Sequence, residues 1–378
     1  MTTIIKAADA AEFLSTVPHL LGFVPRRSVV LIPFSEGRSV GGMRFDLPSD
    51  DVDPAAFAGT ALGLACRVSL VDAVVGIVYC EDAIDDEVPH RALGDALELA
   101  AHRSGLRLLD LLCVGATSWA PYLATTHPPG GFPLAQLPAP PSGAALDASP
   151  HPDHHVGAEL PVADLADRER VGRALQQLER AFEVVAGTQT APHDERVDPR
   201  AFEAVCALDD LPVFFEVAVQ ADPATADPYA LAALIWCLSR PALRDIGVTA
   251  WIDGVDAGDD ALDAQLRWED GEAYPASLAE RMIGEGERPD AERLGAALEV
   301  TRRAAAVAPR SERPGALSVC AWLSWALGRS SHADFYAQLA CEIDSEHGLS
   351  RIVLSMVQAG HLPDWAFRPG RGRHGGHG

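Results

Sequence analysis

Residues Pro18–Phe34 read PHLLGFVPRRSVVLIPF. An apolar helix end, Leu20–Leu21, runs into Gly22, and Pro25 with Arg26–Arg27 leads into an unbroken apolar strand, Ser28–Phe34. A helix stopped by glycine and followed within a few residues by a buried strand is how an α/β layer opens. Upstream, the sequence predicts a short β-like segment, Thr2–Lys6, and a helix near Ala8–Leu21. Downstream, Arg38–Leu47 follows a Ser-Glu-Gly turn and reads as the antiparallel partner of the first strand. Asp53–Pro54 supplies an N-cap and a first-turn proline for a helix running to about Ser69. Ala73–Cys80 (AVVGIVYC) is a strand of the kind buried on both faces. An amphipathic helix, Pro89–Ser104, closes at Gly105, and Leu106–Val114 is the next strand. Residues 1–117 are therefore expected to form an α/β domain with a mixed sheet.

Residues 118–160 break this alternation with the chain's densest proline and glycine, including HPPGGFPLAQLPAPPSG, and read as a long loop or linker. From 161 to 367 the signals are helical: 161–186, 198–220, 226–240, 242–253, 258–269, 276–284, 289–308, 314–328, 330–344 and 348–360. LSWALG (323–328) resembles LSMVQAG (354–360) one hairpin later, which suggests a tetratricopeptide-like pair; helical packing alone gives similar patterns. The expected architecture is thus an α/β N-terminal domain followed by an all-α C-terminal domain with tetratricopeptide-like hairpins. Residues 368–378 (RPGRGRHGGHG) read as a disordered tail.

The formal net charge of −24 repels phosphate backbones and anionic membranes, so neither nucleic acid nor membrane is an expected partner. Lys6 is the only lysine. That excludes P-loop, Schiff-base and kinase-type lysine chemistry, because arginine does not surrender its proton. Seven cysteines are scattered, with no C-x-x-C pair, and read as small buried hydrophobes of a reducing compartment. The opening MTTIIKAADAAEF lacks the pattern of a signal peptide, and the apolar run Ala316–Leu327 is too short to span a bilayer. A cytoplasmic location is expected.

Four constellations bear on chemistry. Ligands of open α/β sheets sit beyond the carboxyl ends of parallel strands. If Ala73–Cys80 and Leu106–Val114 are parallel neighbours, Glu81, Asp82, Thr117, Ser118, Trp119 and Tyr122 face one cleft. Such a cleft suits a polar small molecule or hydrated Mg²⁺. The competing reading is a solvated EDAIDDE turn with Trp119 capping the core. Around Gly22–Ser28, Arg26 or Arg27 would clamp an anion and His19 would titrate nearby, unless the arginines simply pair with carboxylates. His127, His151, Asp153, His154 and His155 crowd the Pro-rich segment, but a loop without regular structure cannot hold metal ligands rigidly, so no metal site is assigned. Arg244–Asp245 reads as a structural pair between helices. Trp322 and Trp325, three apart, read as core or as the wall of a helical groove for a partner. The one G-x-S-x-G, Gly37–Gly41, sits in the turn after the first strand rather than between a strand and a helix, the one G-x-G-x-x-G, Gly370–Gly375, lies in the tail with no strand before it, and there is no Walker motif, so no catalytic residue and no cofactor is assigned.

The opening Pro-His-Leu-Leu-Gly-Phe-x-Pro-x-x-Ser turn, MRFDLP (43–48), GAELPVADLADRERVGRAL (157–175), SRPALRDIGVTAWI (239–252) and the Trp-containing segment from Ala316, in this order, resemble domain-of-unknown-function family 4192, uncharacterised actinobacterial proteins. Relatives in that pattern carry cysteines before a Pro-x-x-Gly turn. Here residues 114–205 hold none, so any thiolate role implied by the resemblance lacks its residues in that segment. The resemblance implies no activity. Two function classes stay open: a non-catalytic binding or adaptor protein that offers its helical half to a protein or peptide, and an enzyme or small-molecule sensor with a polar cleft at the sheet's carboxyl edge.

Overall fold

The computed structural model describes residues 9–124, 126–140, 150–152, 156–187 and 196–368. The expected strand Thr2–Lys6, the residues Asp153, His154 and His155, and the tail beyond Arg368 lie outside these residues. The chain divides into two compact units, Met1–Val156 with Phe367–Gly378, and Gly157–Ala366.

The first unit runs α1 (Ala10–Leu21), β1 (Ser28–Ser35), β2 (Arg38–Ser39), β3 (Met43–Asp46), α2 (Pro54–Cys66), β4 (Ala73–Tyr79), α3 (Arg91–Arg103), β5 (Arg107–Val114), β6 (Ser118–Pro121) and β7 (Phe132–Pro133). Its strands form one sheet in the order β2-β1-β4-β5-β6-β7, with β3 also paired to β1. Among these strands only β4 and β5 pair in parallel, joined through α3, and the other strand pairings are antiparallel. The sheet is therefore mixed, as expected. Strand β4 lies centrally and every residue in it is buried. Its alternation sends Val74 and Val78 toward α2 and α3, and Val75, Ile77 and Tyr79 toward the core that includes Leu14 and Val17 of α1.

Local chemistry sets the boundaries. Asp9 caps α1 by accepting from Glu12 N–H, and Gly22 ends it in the left-handed region at φ 80°. Asp53 caps α2 by accepting from the Ala55 and Ala56 N–H groups. The expected partner strand Arg38–Leu47 splits into β2 and β3, because Gly41 turns the chain at φ 145° between them. The expected linker 118–160 is corrected more substantially: it contributes β6 and β7 to the sheet, and the first unit runs on to Val156. Pro121 and Pro133 sit at the ends of short strands near the sheet's edge, where proline is tolerated.

The second unit comprises α4 (Leu165–Val185), α5 (Pro199–Ala207), α6 (Leu211–Gln220), α7 (Pro228–Leu238), α8 (Pro241–Asp253), α9 (Val255–Glu269), α10 (Ala276–Met282), α11 (Ala291–Val307), α12 (Arg313–Ala326), α13 (Ser330–Cys341) and α14 (Gly348–Gln358). No strand occurs among its described residues. Asp164, Asp198, Asp210, Asp227 and Asp290 each cap a helix with the side chain, so part of the chain's acidity is structural. The expected single helix 198–220 is two, because Asp210 caps a new start and Pro212 occupies its first turn. Helix α12 is buried on all sides from Pro314 to Ala326, as an apolar run in a large core must be. It packs against α11, α13 and α14, and α13 packs against α14, a pattern compatible with tetratricopeptide-like hairpins. Among the described residues, no helix is long and apolar enough to cross a membrane.

Arg293 of α11 ties three elements together. Its guanidinium donates to the Ala250 and Trp251 carbonyls of α8, each at 2.9 Å, and makes a two-pronged contact with the Glu216 carboxylate of α6. Hydrogen bonding from Arg293 holds the Glu216 carboxyl below its ordinary pKa of 4.5. A depressed carboxyl pKa stabilises the fold above that ordinary value, and the contribution vanishes as pH falls through the folded-state value. Glu216→Gln is therefore expected to flatten the loss of stability below about pH 4, measured as the urea midpoint against pH. An acid limb of unchanged slope would show that the pair carries none of it.

Candidate functional site at the carboxyl edge of the sheet

Parallel pairing of β4 with β5 sets Tyr79 beside Val114, so both strands end on one edge. The antiparallel β1 starts there, with Ser28 opposite Tyr79. Three segments converge as a result: the start of β1, the 80–90 loop and the 115–118 turn. Cys80 N–H donates to the Val114 carbonyl at 2.9 Å, Ala116 N–H to Asp82 O at 3.2 Å, and Gly115 N–H to Ser118 O at 2.8 Å.

Cys80 and Asp82 lie with His90 so that one ligand atom from each falls within 4.8 Å of the others. His90 Nε2 is 3.1 Å from Asp82 Oδ2. His90 immediately precedes α3 in the left-handed region at φ 55°, yet its side chain caps no helix N–H. Such a conformation is uncommon for a residue other than glycine and persists only where the surroundings enforce it. They do so from both sides. Tyr122 Oη donates to the Pro89 carbonyl at 2.6 Å, and Arg91 Nη1 donates to the Tyr122 carbonyl at 2.8 Å. Tyr122 thus braces the residues flanking His90, and its burial raises its own pKa.

Beneath the edge, Cys113 Sγ lies 3.8 Å from Cys80 Sγ. Hydrogen bonding between the thiols pulls the Cys80 pKa down and pushes that of Cys113 up, with burial adding to the rise at Cys113. Two buried hydroxyls, Ser28 Oγ and Tyr79 Oη, belong to residues paired across β1 and β4, and neither has a hydrogen-bond partner. Burial raises the Tyr79 pKa. Buried polar atoms are almost always paired, so these two are exceptions, and they lie on the α1 side of the sheet, away from Cys80 and Cys113.

The sequence-derived residues divide as follows. Glu81 and Asp82 stand exposed at the edge, and Arg27 reaches Glu81 at 3.7 Å. The anion-clamp and carboxylate constellations are therefore one. At 71% and 68% side-chain exposure this ion pair stabilises little by itself. Arg26 is exposed beside it, and His19 sits part-buried in the last turn of α1. Thr117 is exposed and Ser118 buried, their carbonyls engaged by Leu134 and Gly115 N–H groups. Trp119 and Tyr122 do not share a cleft. Both are buried and belong to opposite faces of the sheet, Trp119 stacked on Phe132 at 4.8 Å. Tyr122 follows directly on β6, an odd three residues after Trp119, and the chain continues the strand's alternation there to the opposite face.

In the second unit Trp322 and Trp325 are 1% and 0% exposed, so they line no open groove. Their Nε1 atoms donate to the Met282 and His361 carbonyls at 2.9 and 2.7 Å. Arg244 pairs with its own neighbour Asp245 at 2.8 Å, within α8 rather than between helices. His151 is exposed, its backbone bonded to Gly22 and Val24, and His127 Nδ1 lies 3.0 Å from the adjoining Pro128 carbonyl. Cys80, His90 and Cys113 escape the sequence reading. Their only linear trace is Cys80-x-Asp82 at a strand's carboxyl end with a histidine eight residues beyond Asp82.

No curated protein and no solved structure matches this chain. The profile described as domain of unknown function (DUF4192) matches residues 11–364, spanning both units, and the chain belongs to that family.

Proposed function

We propose that this is a small-molecule-binding protein whose ligand sits at the carboxyl edge of β4 and β5. The observation that carries the reading is the convergence of Arg27, Glu81, Asp82, His90 and Cys80 at one strand-end edge. That edge is where open α/β sheets place ligands, and its mixed charge suits a small polar or ionic compound. No catalytic step is proposed, and the protein is placed in the cytoplasm as part of the same reading. The adaptor reading, which used Trp322 and Trp325 as a groove, loses its residues to the core.

The test is native mass spectrometry of the full chain after incubation with a metabolite extract. The protein is expected to retain an organic adduct that Asp82→Ala loses. Asp82 is exposed, so the substitution leaves the core untouched. Identical adduct patterns for the two proteins would defeat the reading.

A further inference from the structure

We infer that Cys80, Asp82 and His90 form a zinc site with one position left to solvent or ligand. The inference rests on the proposed ligand edge and names the ion that would anchor it. Zinc is held tetrahedrally by sulfur, nitrogen and oxygen at about 2.0–2.3 Å, which places donor atoms roughly 3.3–3.7 Å apart. Here Asp82 Oδ2 and His90 Nε2 are 3.1 Å apart, and the Cys80 sulfur completes a triangle with no side above 4.8 Å. Small side-chain rotations close that triangle on an ion.

The donor set also fits chemically. One thiolate, one carboxylate and one neutral imidazole balance a doubly charged ion, and thiolate with imidazole favours zinc over magnesium or calcium. The histidine is presented deliberately. Its left-handed backbone at φ 55° turns the ring toward Asp82 instead of toward the helix N–H groups it precedes, and Tyr122 and Arg91 fix the residues beside it. Cys113, fully buried 3.8 Å from Cys80, serves as an outer hydrogen-bond partner of the ligating sulfur. Three protein ligands and one open position are the arrangement of zinc sites that bind water or a ligand oxygen.

Cobalt(II) titrated into the chelator-treated full chain tests this. One equivalent is expected to give tetrahedral visible absorption and a near-ultraviolet thiolate-to-metal band, both lost when zinc is added. Cys80→Ser is expected to remove the thiolate band. Asp82→Asn and His90→Asn are expected to weaken binding at least about tenfold while the band survives at saturation. Cys66→Ser, at an exposed cysteine of α2, is expected to change nothing. Asp82→Asn alters only an exposed side chain and keeps the test valid should Cys80→Ser misfold. Absence of the thiolate band in the unmutated protein, or its persistence in folded Cys80→Ser, would overturn the site. An organic adduct lost in Asp82→Ala without any cobalt band overturns the metal alone. Cobalt binding with no organic adduct leaves the metal site standing and removes the small-molecule reading.

Discussion

Trp325→Ala is expected to lower the stability of the helical unit by about 3–5 kcal/mol, read as a fall in urea midpoint by far-ultraviolet circular dichroism. The ring is fully buried in α12 and lies 6.1 Å from Trp322, 6.0 Å from His361 and 6.4 Å from Trp365, centroid to centroid. Truncation removes the packing and leaves a cavity among partners that cannot collapse, because α12 is enclosed on every side. It also strands the His361 carbonyl, which accepts from Nε1 at 2.7 Å. Trp325→Phe keeps most of the ring volume and loses that bond, so a smaller fall, about 1–2 kcal/mol, is expected. A midpoint unchanged by either substitution would place the ring on the surface and restore it as a contact residue for a partner.

This tryptophan shows what the sequence can and cannot carry. The run from Ala316 to Leu327 was legible as apolar and too short for a bilayer, and a run of that kind becomes a central helix. Whether its aromatic residues wall a groove or fill a core depends on which helices return to cover them, and no local pattern encodes that. Asp-Pro pairs at 53–54, 198–199 and 227–228 marked helix starts because capping is a local interaction. The same signal, Asp210 with Pro212, also marks the break inside 198–220, where apolar periodicity on both sides outweighed it. Strands β6 and β7 were hidden by length: four and two residues among prolines give no alternation to read. At the site, Glu81 and Asp82 were legible because they follow the one unmistakable central strand. His90 was not, because its role arises from a left-handed backbone and a brace by Tyr122, 32 positions further along the chain.

Gly115→Ala is expected to disable the candidate site and to cost about 1–3 kcal/mol of stability in the α/β unit. The argument is one of space, since the backbone there lies outside the left-handed region. A methyl group at residue 115 would lie 2.5 Å from the Asp82 carbonyl oxygen and 3.4 Å from Ile84 Cγ1. The obstacle is backbone, not the far end of a flexible side chain, so one of the two loops must move. The 115–118 turn is pinned by Gly115 N–H on Ser118 O at 2.8 Å, and Cys80 N–H holds the preceding residue through the Val114 carbonyl. The looser side is the loop after Cys80, tied to residue 116 by the longer 3.2 Å bond to Asp82 O. Displacing that loop carries the Asp82 carboxylate away from His90, whose place is fixed independently by Tyr122 and Arg91. Cobalt affinity should therefore fall at least about tenfold while Cys80 still ligates at saturation, a pattern that matches Asp82→Asn and differs from Cys80→Ser. Unchanged cobalt affinity in Gly115→Ala, with the stability loss present, would separate the Asp82 carboxylate from the metal and leave the loop contact as packing alone.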